Sequence, residues 1–321
     1  MERLTGTSPH DLPPGEDQIT DLLGMIGNTP LLQIDHPHNG NGAVYAKAEF
    51  VNPGGSIKDR IARHLILTAQ QEGKLRPGMV IAEATSGNTG IGVAMVGRAL
   101  GYRVVIVMPE SMSEERKKLV RALGADLILT PREASISGAV EKVAALERIN
   151  PNIWRVNQFD NPHNPEVHYQ STGPELWRQL GGRIDGFVAG VGSGGTLQGV
   201  GRYLKERNPA VQIIAVEPDG FSALLGLEPG LHVIHQIQGI GDGFIPSVLD
   251  PGLIDDVITV SDDDAVYCTR KLSRTLGLLV GTSAGANVYA ARILSARLGP
   301  GSRVATVLPD RAERYFSTAL L

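Results

Sequence analysis

Residues 186–196 read GFVAGVGSGGT, an apolar run that passes directly into a glycine-rich turn. The run at 186–190 predicts a buried strand, and the pattern after the turn predicts a helix at 195–207. A tight strand-to-helix turn needs only one glycine. The additional glycines, together with the hydroxyls of Ser193 and Thr196, favour a loop whose backbone N–H groups bind an anion such as phosphate.

The same alternation of strand and helix continues along most of the chain from Leu22 onward. Continuous runs of Val, Ile and Leu separated by helices are typical of parallel sheets that are covered on both faces. The sequence therefore predicts an α/β fold with two doubly wound parallel-sheet units. Clustered turn residues near 150–165 indicate the boundary between the two units. The predicted strands lie at 79–83, 103–107, 126–129, 186–190, 212–216, 257–260 and 303–308. The predicted helices lie at 59–72, 88–100, 113–123, 136–148, 165–180, 195–207, 263–276 and 285–297.

Composition excludes several classes of protein. A chain of 321 residues with 42% hydrophobic and 20% charged side chains suits a folded protein of two ordinary domains. The net charge of −4 argues against sequence-independent nucleic-acid binding, which needs a positive surface. No apolar run approaches the ~18 residues of a membrane span, and the N-terminus has no hydrophobic signal core. We therefore expect a soluble, cytoplasmic protein with neither a nucleic-acid nor a membrane partner.

The cysteine and histidine content predicts no metal site. Cys268 is the only cysteine, which excludes an internal disulfide and a multi-cysteine metal site, and it is expected to be a buried small hydrophobic residue. The eight histidines show no paired metal-ligand spacing. His168 is expected to support helix packing or a hydrogen bond.

A second glycine-rich segment, TSGNTG at 85–90, also lies between a predicted strand and a predicted helix. Its hydroxyl and amide side chains converge on one turn, whereas a simple helix N-cap needs only one hydroxyl. Exposed N–H groups at the start of the helix suit a carboxylate or a phenolic oxygen. The segment therefore predicts a second anion site.

Lys58 lies where a third glycine-rich segment, NPGGSIKDR at 52–60, turns into a helix. A cation is electrostatically disfavoured beside a helix N-terminus, so this position favours a lysine with a lowered pKa or one bonded covalently to a cofactor. A phosphate loop, an anion site and an amine nucleophile together indicate pyridoxal phosphate chemistry. A dinucleotide fits less well, because Leu197 stands where its third glycine belongs, and no Walker lysine indicates a nucleoside triphosphate.

Six motifs in order give the chain a resemblance to a known family. They are IGNTPL (26–31), NPGGSIKDR (52–60), EATSGNTG (83–90), GVGSGGT (190–196), IQGIGDGFIP (237–246) and GTSAGA (281–286). Over about residues 20–321 the chain resembles the cysteine synthases, or O-acetylserine sulfhydrylases, with cystathionine β-synthases as near relatives. The resemblance implies the fold-type II architecture of pyridoxal phosphate enzymes, similar to the tryptophan synthase β chain.

The resemblance also implies a domain division and a role for each motif residue. It implies a smaller mobile domain at 52–160 and a larger cofactor-binding domain from 19–51 plus 161–321. The Pro, Gly and charged residues at 1–18, which show no periodicity, separately predict a flexible arm. Lys58 would bond covalently to pyridoxal 5′-phosphate and then act as the base that removes the substrate Cα proton. Cofactor contacts would also come from Asn88, Gly192, Ser193, Gly194, Gly195, Thr196 and Ser283. Substrate contacts would come from Thr85, Ser86, Gly87, Thr89, Gln158 and Gly239.

The activity that this resemblance implies is a β-replacement that makes L-cysteine from O-acetyl-L-serine and sulfide. Two alternatives remain open: condensation of the serine donor with homocysteine, and a non-catalytic paralogue that binds a partner in its site. The intact Lys58, Asn88, Gln158 and Ser283 count against the paralogue. The resemblance further implies a homodimer and serine acetyltransferase as a candidate partner.

Two positions depart from the family pattern, and one charge feature bears on the donor. Ala84 replaces a usual proline, and Asp242 stands where a small residue is common, so Asp242 could influence the acceptor. No Lys or Arg occurs between Arg207 and Arg270, whereas the acidic residues there include Glu217, Asp219, Glu228, Asp242, Asp250, Asp255 and Asp256. We expect this acidity to disfavour an O-phosphoserine donor, unless Arg116 or Lys117 reaches in from another segment.

Overall fold

The computed structural model of the protein describes residues 21–35, 40–227 and 235–318. Within these residues the strands form two separate sheets, and helices cover both faces of each, which confirms the predicted fold class. The arm expected at 1–18 lies outside the described residues. No helix in the described ranges has the length and apolar character needed to cross a membrane.

The strands and helices follow one another as the alternation predicted. The strands are β1 (Leu31–Asp35), β2 (Ala43–Ala48), β3 (Val80–Ala84), β4 (Arg103–Pro109), β5 (Asp126–Thr130), β6 (Ile153–Arg155), β7 (Gly186–Gly190), β8 (Gln212–Pro218), β9 (Asp256–Val260) and β10 (Arg303–Leu308). The helices are α1 (Lys58–Gln71), α2 (Asn88–Ala99), α3 (Glu114–Ala122), α4 (Ser135–Ile149), α5 (His163–Val167), α6 (Gly173–Gln179), α7 (Gly195–Lys205), α8 (Asp262–Leu276) and α9 (Thr282–Leu298).

The larger sheet combines strands from both ends of the chain in the order β1-β2-β10-β7-β8-β9. Its pairs are parallel except for β1 with β2. Side chains alternate across the strands, so Val188 packs on the α8 and α9 side whereas Phe187 packs on the α6 and α7 side. This alternation buries both faces, as a doubly wound sheet requires.

The smaller sheet is wholly parallel and has the order β5-β4-β3-β6. On β4, Ile106 packs with α1 and α2, while Val105 and Val107 pack with α4 on the opposite face. Every strand of this sheet falls between residues 80 and 155. The sheet therefore forms a second layered unit beside the larger one.

Three strands and one break in a helix did not follow from the sequence. β1 and β2 form an antiparallel pair, and the buried charge of Lys47 interrupts the apolar pattern of β2. β6 has only three residues, too few to show a period. The helix predicted at 165–180 is divided by a π-helical turn at His168–Thr172, which no composition signal marks.

A buried cluster of charges joins α1 to the larger sheet and to α6. Arg60 on α1 is 1% exposed and donates to both carboxylate oxygens of Glu49 at 2.8 Å and of Glu175 at 2.7 and 2.8 Å. Lys47 on β2 also contacts Glu175, with its Nζ 2.7 Å from Oε2. Two cations therefore face two carboxylates inside the protein, and each depends on the others for compensation.

We expect Glu175→Gln to destabilise the fold strongly, by about 3–5 kcal/mol, because it leaves the buried cations under-compensated. Asp126→Asn is the matched control. It breaks an ion pair to Arg103 in which both side chains are more than half exposed, and such pairs contribute about 0–1 kcal/mol. Urea unfolding followed by circular dichroism measures both variants. Equal effects of the two substitutions would contradict the assigned role of the cluster.

The loss of stability in Glu175→Gln should depend on pH. Burial alone would raise the pKa of Glu175. The hydrogen bond and charge of Arg60, followed by those of Lys47, outweigh burial and lower this pKa from 4.5 to about 2. A lowered native pKa gives stability that is present above the unfolded value and is lost as pH falls through the native value. The stability difference between wild type and Glu175→Gln should therefore shrink as pH falls from about 4.5 to about 2. A constant difference over this range would count against the pairing.

Candidate active site

In the described part of the chain, four helices begin at the wall of one cavity of about 1140 Å³. Lys58 is the first residue of α1 and Asn88 the first of α2, while Thr196 and Ser283 lie in the first turns of α7 and α9. The first turn of a helix has N–H groups without intrahelical acceptors and carries the positive end of the helix dipole. The cavity therefore favours anionic groups.

All the residues that the sequence singled out for this site line the cavity, with one exception. Those that line it are Lys58, Thr85, Ser86, Gly87, Asn88, Thr89, Gln158, Gly192, Ser193, Gly194, Thr196, Gly239 and Ser283. The exception is Gly195, which packs against the buried side chain of Asn164. A Cβ on Gly195 would lie only 2.0 Å from Asn164 Oδ1, so glycine is required there by packing.

The amine of Lys58 is held against the glycine-rich loop at 192–196. Its Nζ donates to Ser193 Oγ at 3.2 Å. Burial lowers the pKa of Lys58 from 10.5 to about 8, and the charges of Asp242 and Asp310 partly oppose this shift. The predicted lowering is confirmed, although burial rather than the helix start is its main cause. Roughly a tenth of the amine is therefore uncharged at pH 7.

The side chain of Asn88 is fixed by residues far away in the sequence. Its Nδ2 donates to Asp310 Oδ2 at 2.6 Å, and Arg314 Nη1 donates to its Oδ1. Asp310 is fully buried and also accepts from the Tyr315 hydroxyl at 2.5 Å. These contacts leave the second hydrogen on Asn88 Nδ2 for a ligand. Sequence reasoning missed Asp310 because nothing local marks a partner that lies 222 residues away.

The TSGNTG loop is joined to Gln158 across the end of the smaller sheet. Thr89 Oγ1 donates to Gln158 Oε1 at 2.7 Å, and the Gly87 amide donates to Thr85 Oγ1 at 3.0 Å. Glu83, at the end of β3, accepts from the backbone amide of Asn157 at 2.9 Å. Burial raises the pKa of Glu83 to about 8. The loop and the Gln158 segment are therefore positioned as one unit.

The glycine-rich loop after β7 is supported by two buried side chains. Asn164 Nδ2 donates to Gln158 O at 2.7 Å and to Ser193 Oγ at 3.1 Å. His168 is fully buried, and its Nε2 lies 3.3 Å from Thr196 Oγ1. Burial lowers the pKa of His168 well below its usual value, so the ring is neutral. The prediction that His168 serves a hydrogen bond is thus confirmed.

Comparison with known proteins identifies the family. Residues 22–310 of the chain match the family of pyridoxal-phosphate dependent enzymes. The chain belongs to this family. A cysteine synthase of Staphylococcus aureus strain Mu50 is 47% identical over 304 residues, which cover 94% of this chain and 97% of that one.

Two solved structures are similar over nearly the whole fold. The O-acetylserine dependent cystathionine β-synthase from Helicobacter pylori has a TM-score of 0.89 at 44% identity, with 94% of this chain and 99% of that chain covered. The cysteine synthase (OASS) from Entamoeba histolytica has a TM-score of 0.88 at 36% identity, with 99% of this chain and 94% of that chain covered. These likenesses agree with the fold that the motifs implied.

The residues around the cavity fit the cofactor of this family, pyridoxal phosphate. Gly194 has a left-handed φ of 75° at the start of α7, which favours glycine. A Cβ on Gly192 would lie 2.3 Å from Gly239 O, so the loop can pass there only without a side chain. The donor set combines first-turn N–H groups, the hydroxyls of Ser193 and Thr196, and the amine of Lys58. Such a set suits a phosphate joined to an aldehyde-bearing ring.

Arg116 on α3 also lines the cavity, whereas Lys117 does not. Arg116 is 2% exposed, and its Nη1 donates to Gln238 Oε1 on the opposite wall. Lys117 instead donates to Glu110 O and Glu114 Oε1, both at 2.7 Å. Arg116 is therefore the exception that the donor expectation allowed for, a basic side chain that reaches the site from another segment.

Fewer carboxylates of the acidic stretch face the cavity than the sequence suggested. Among the carboxylates of that stretch that the structure describes, only Asp242 lines the cavity. Glu217 accepts from Ser222 at 2.5 Å, while Asp255 and Asp256 pair with Lys205 and Arg297. Glu228 lies outside the described residues. Closeness in sequence did not predict which carboxylates face the cavity, because neighbouring side chains contact different partners.

The remaining candidates lie away from this cavity. Cys268 is 1% exposed and burial raises its pKa, which confirms a small buried hydrophobic residue rather than a nucleophile. His64, His163 and Glu166 bring possible ligand atoms within 4.8 Å of one another, although their sequence spacing gave no such sign. Glu166 already accepts from both imidazoles, so hydrogen bonding accounts for the cluster.

We expect the amine of Lys58 in cofactor-free protein to titrate near pH 8, because burial disfavours its charged form. Competitive labelling with acetic anhydride, read by mass spectrometry, measures this pKa. Asp242→Asn should lower it further, since the carboxylate of Asp242 stabilises the ammonium form. A midpoint near 10.5, the ordinary value, would show that burial does not shift this group.

Proposed function

We propose that the protein makes L-cysteine by replacing the acetoxy group of O-acetyl-L-serine with sulfide. The observation that carries this proposal is the half-buried Lys58, with a pKa of about 8, between two loops that suit a phosphate and a carboxylate. The similarity to cysteine synthase over 94% of the chain supports the same reaction. The Helicobacter pylori relative is described as O-acetylserine dependent, which supports the acetyl ester as donor.

Each part of the cavity has a residue suited to one part of the cofactor. The loop at 192–196 would hold the phosphate, Asn88 the ring oxygen and Ser283 the pyridine nitrogen, while Lys58 would provide the covalent bond. When bound, pyridoxal phosphate withdraws electrons from the substrate α-carbon, which makes the Cα proton acidic and the group on Cβ easy to expel. Gly195 supports the phosphate loop through its packing against Asn164.

Lys58 is the residue that would move the proton. Its Nζ accepts the proton from the substrate Cα, for which the amine must be uncharged. With a pKa of about 8, the neutral fraction at pH 7 is roughly 300-fold larger than for an ordinary lysine. Burial of Lys58 therefore supplies a base that operates near neutral pH.

The other polar groups orient the substrate and direct the outcome. Thr85, Ser86, Gly87 and Thr89, together with Gln158, would bind the substrate carboxylate beside the start of α2. Ser283 offers a neutral hydroxyl, which does not hold a pyridine nitrogen protonated as an aspartate would. This weaker electron withdrawal favours prompt loss of the Cβ leaving group over transamination.

Closure of the cavity would protect the reaction from water. We propose that the smaller domain at 52–160 moves against the remainder, 19–51 plus 161–321, when the substrate binds. In support, the carboxylate loop follows β3 of the smaller sheet and the phosphate loop follows β7 of the larger sheet. Exclusion of water limits hydrolysis of reactive intermediates.

A second candidate acceptor is homocysteine, which would give cystathionine. The similarity to a cystathionine β-synthase supports it. So does Asp242, whose carboxylate lines the cavity and could pair with the ammonium group of an amino-acid thiol. Sulfide has no ammonium group, so Asp242 would stabilise the binding of homocysteine more than that of sulfide.

The proposed partners follow from the resemblance and from the anion-binding cavity. We propose a homodimer, and we propose that the carboxylate at the C-terminus of serine acetyltransferase can bind the loop that takes the substrate carboxylate. A non-catalytic paralogue is disfavoured, because the amine of Lys58 and both anion loops are present together.

We expect Lys58→Ala to abolish β-replacement while the fold and non-covalent cofactor binding persist, because the loop at 192–196 is untouched. Lys142→Ala, on the exposed face of α4, is the matched control and should retain activity. Sulfide-dependent cysteine formation measures turnover, and visible absorbance measures bound cofactor. Near-wild-type turnover of Lys58→Ala would refute the assigned role.

We also expect O-acetyl-L-serine to be used far better than O-phospho-L-serine. A dianionic phosphate ester would meet Asp242, and Lys58 must lose its charge to act as a base. The kcat/KM values of both donors with sulfide measure the preference. Equal or better use of O-phosphoserine would show that Arg116 compensates the phosphate and that the argument from Asp242 is wrong.

A further inference from the structure

Arg116 is a buried cation that lacks a counter-ion in the described part of the chain. Its residue is 2% exposed, and no carboxylate of the described residues lies within ion-pair distance of it. Its side-chain hydrogen-bond acceptors there are neutral, namely Ser113 Oγ at 3.4 Å and Gln238 Oε1. The Nε–H is buried without an acceptor. The face of the guanidinium lies 4.8 Å from the centre of the Tyr315 ring.

The guanidinium lies directly against the TSGNTG loop. A Cβ built on Gly87 would be 2.3 Å from Arg116 Nε and 2.5 Å from its Cδ, so only glycine allows this approach. Gly87 immediately precedes Asn88, the first residue of α2. The positive charge of Arg116 therefore adds to the positive end of the α2 dipole at one wall of the cavity.

A buried guanidinium without a counter-ion is energetically unfavourable on its own. An ion moved out of water loses several kcal/mol of solvation, and native proteins usually offset this with a paired charge. Its two side-chain acceptors here are neutral, and one N–H group has no acceptor among the described residues. The missing component is an anion, and Arg116 is among the residues that line the cavity.

We propose that Arg116 is the counter-charge for the carboxylate of the amino-acid substrate, acting at the loop formed by Thr85 to Thr89. This rests on the proposed function and adds a residue to its substrate site. A guanidinium presents several N–H donors and stays charged at every relevant pH, which suits a planar carboxylate better than an ammonium point charge does. Arg116 thereby selects ligands that carry a carboxylate over uncharged analogues.

A purely structural role makes a different prediction. If Arg116 only packs on Tyr315 and bonds to Gln238, its loss should weaken the binding of charged and uncharged ligands equally. If it supplies the counter-charge, its loss should weaken only the carboxylate ligand. The quantity that separates the two roles is the ratio of dissociation constants for an amino acid and its amide.

The experiment measures binding of L-serine and of L-serinamide to the cofactor-loaded enzyme by calorimetry. The two ligands share the amine and hydroxyl and differ in the carboxylate, and any effect of the amide on the amine cancels when variants are compared. In Arg116→Met and Arg116→Gln we expect the preference for serine over serinamide to fall roughly tenfold to a hundredfold, the range for a hydrogen-bonded charge. Arg116→Lys should keep an intermediate preference, and Arg121→Met, exposed on the same helix, should keep the full one.

Two results would overturn the proposal. One is a serine-to-serinamide ratio in either neutral variant that stays within about twofold of wild type. The other is an Arg116→Lys variant that loses as much preference as Arg116→Met, since shape rather than charge would then decide. Thermal unfolding gives a second readout: removal of an uncompensated charge should leave ligand-free Arg116→Met at least as stable as wild type. Sulfide-dependent turnover of O-acetylserine by wild type tests the proposed function separately.

Discussion

The pairing of Arg60 with Glu49 and Glu175 is the contact on which the position of Lys58 in the cavity wall depends. Arg60 lies two residues after Lys58 on α1, so its two-sided salt bridge fixes the first turn of the helix that presents the amine. The partners belong to segments before α1 and to α6, which are far apart in sequence. A buried cation that must satisfy both carboxylates leaves α1 little freedom. Lys58 can therefore be desolvated without being displaced toward water.

The placement of four helix starts around one cavity accounts for its chemistry. Helix dipoles and first-turn N–H groups stabilise anions and destabilise cations. The phosphate and the carboxylate of the proposed ligands gain from this field, whereas protonated Lys58 is disfavoured by it and by burial. Asp242 and Asp310 limit that effect and keep the pKa near 8 rather than lower. Helix ends thus favour the anionic ligands, while burial, opposed by the two carboxylates, sets the basicity of Lys58.

Sequence reasoning succeeded where the signal was local. Continuous apolar strands and glycine-rich turns identified β3, β7 and the loops that follow them, because periodicity and turn chemistry depend on neighbouring residues. It failed where function depends on contacts between distant segments. Asp310 and Arg116 act on Asn88 and Gly87, and no pattern near either residue reveals this. The acidic stretch at 217–256 was misjudged for the same reason, since only the fold decides which carboxylates face the cavity.

The same distant contacts restrict how the proposed closure can occur. Arg60 anchors the start of α1 to α6, and the bond from Asn88 to Asp310 anchors the start of α2 beside β10 of the larger sheet. Moving every residue of 52–160 would break both buried contacts, which is costly because each would expose an unpaired polar group, so the moving part of the proposed domain excludes the starts of α1 and α2. β5 and β4 lie at the opposite end of the smaller sheet from β6, and α3 packs beside them. Movement of that edge would preserve both anchors. It would also displace Arg116, so closure and capture of the carboxylate would be a single event.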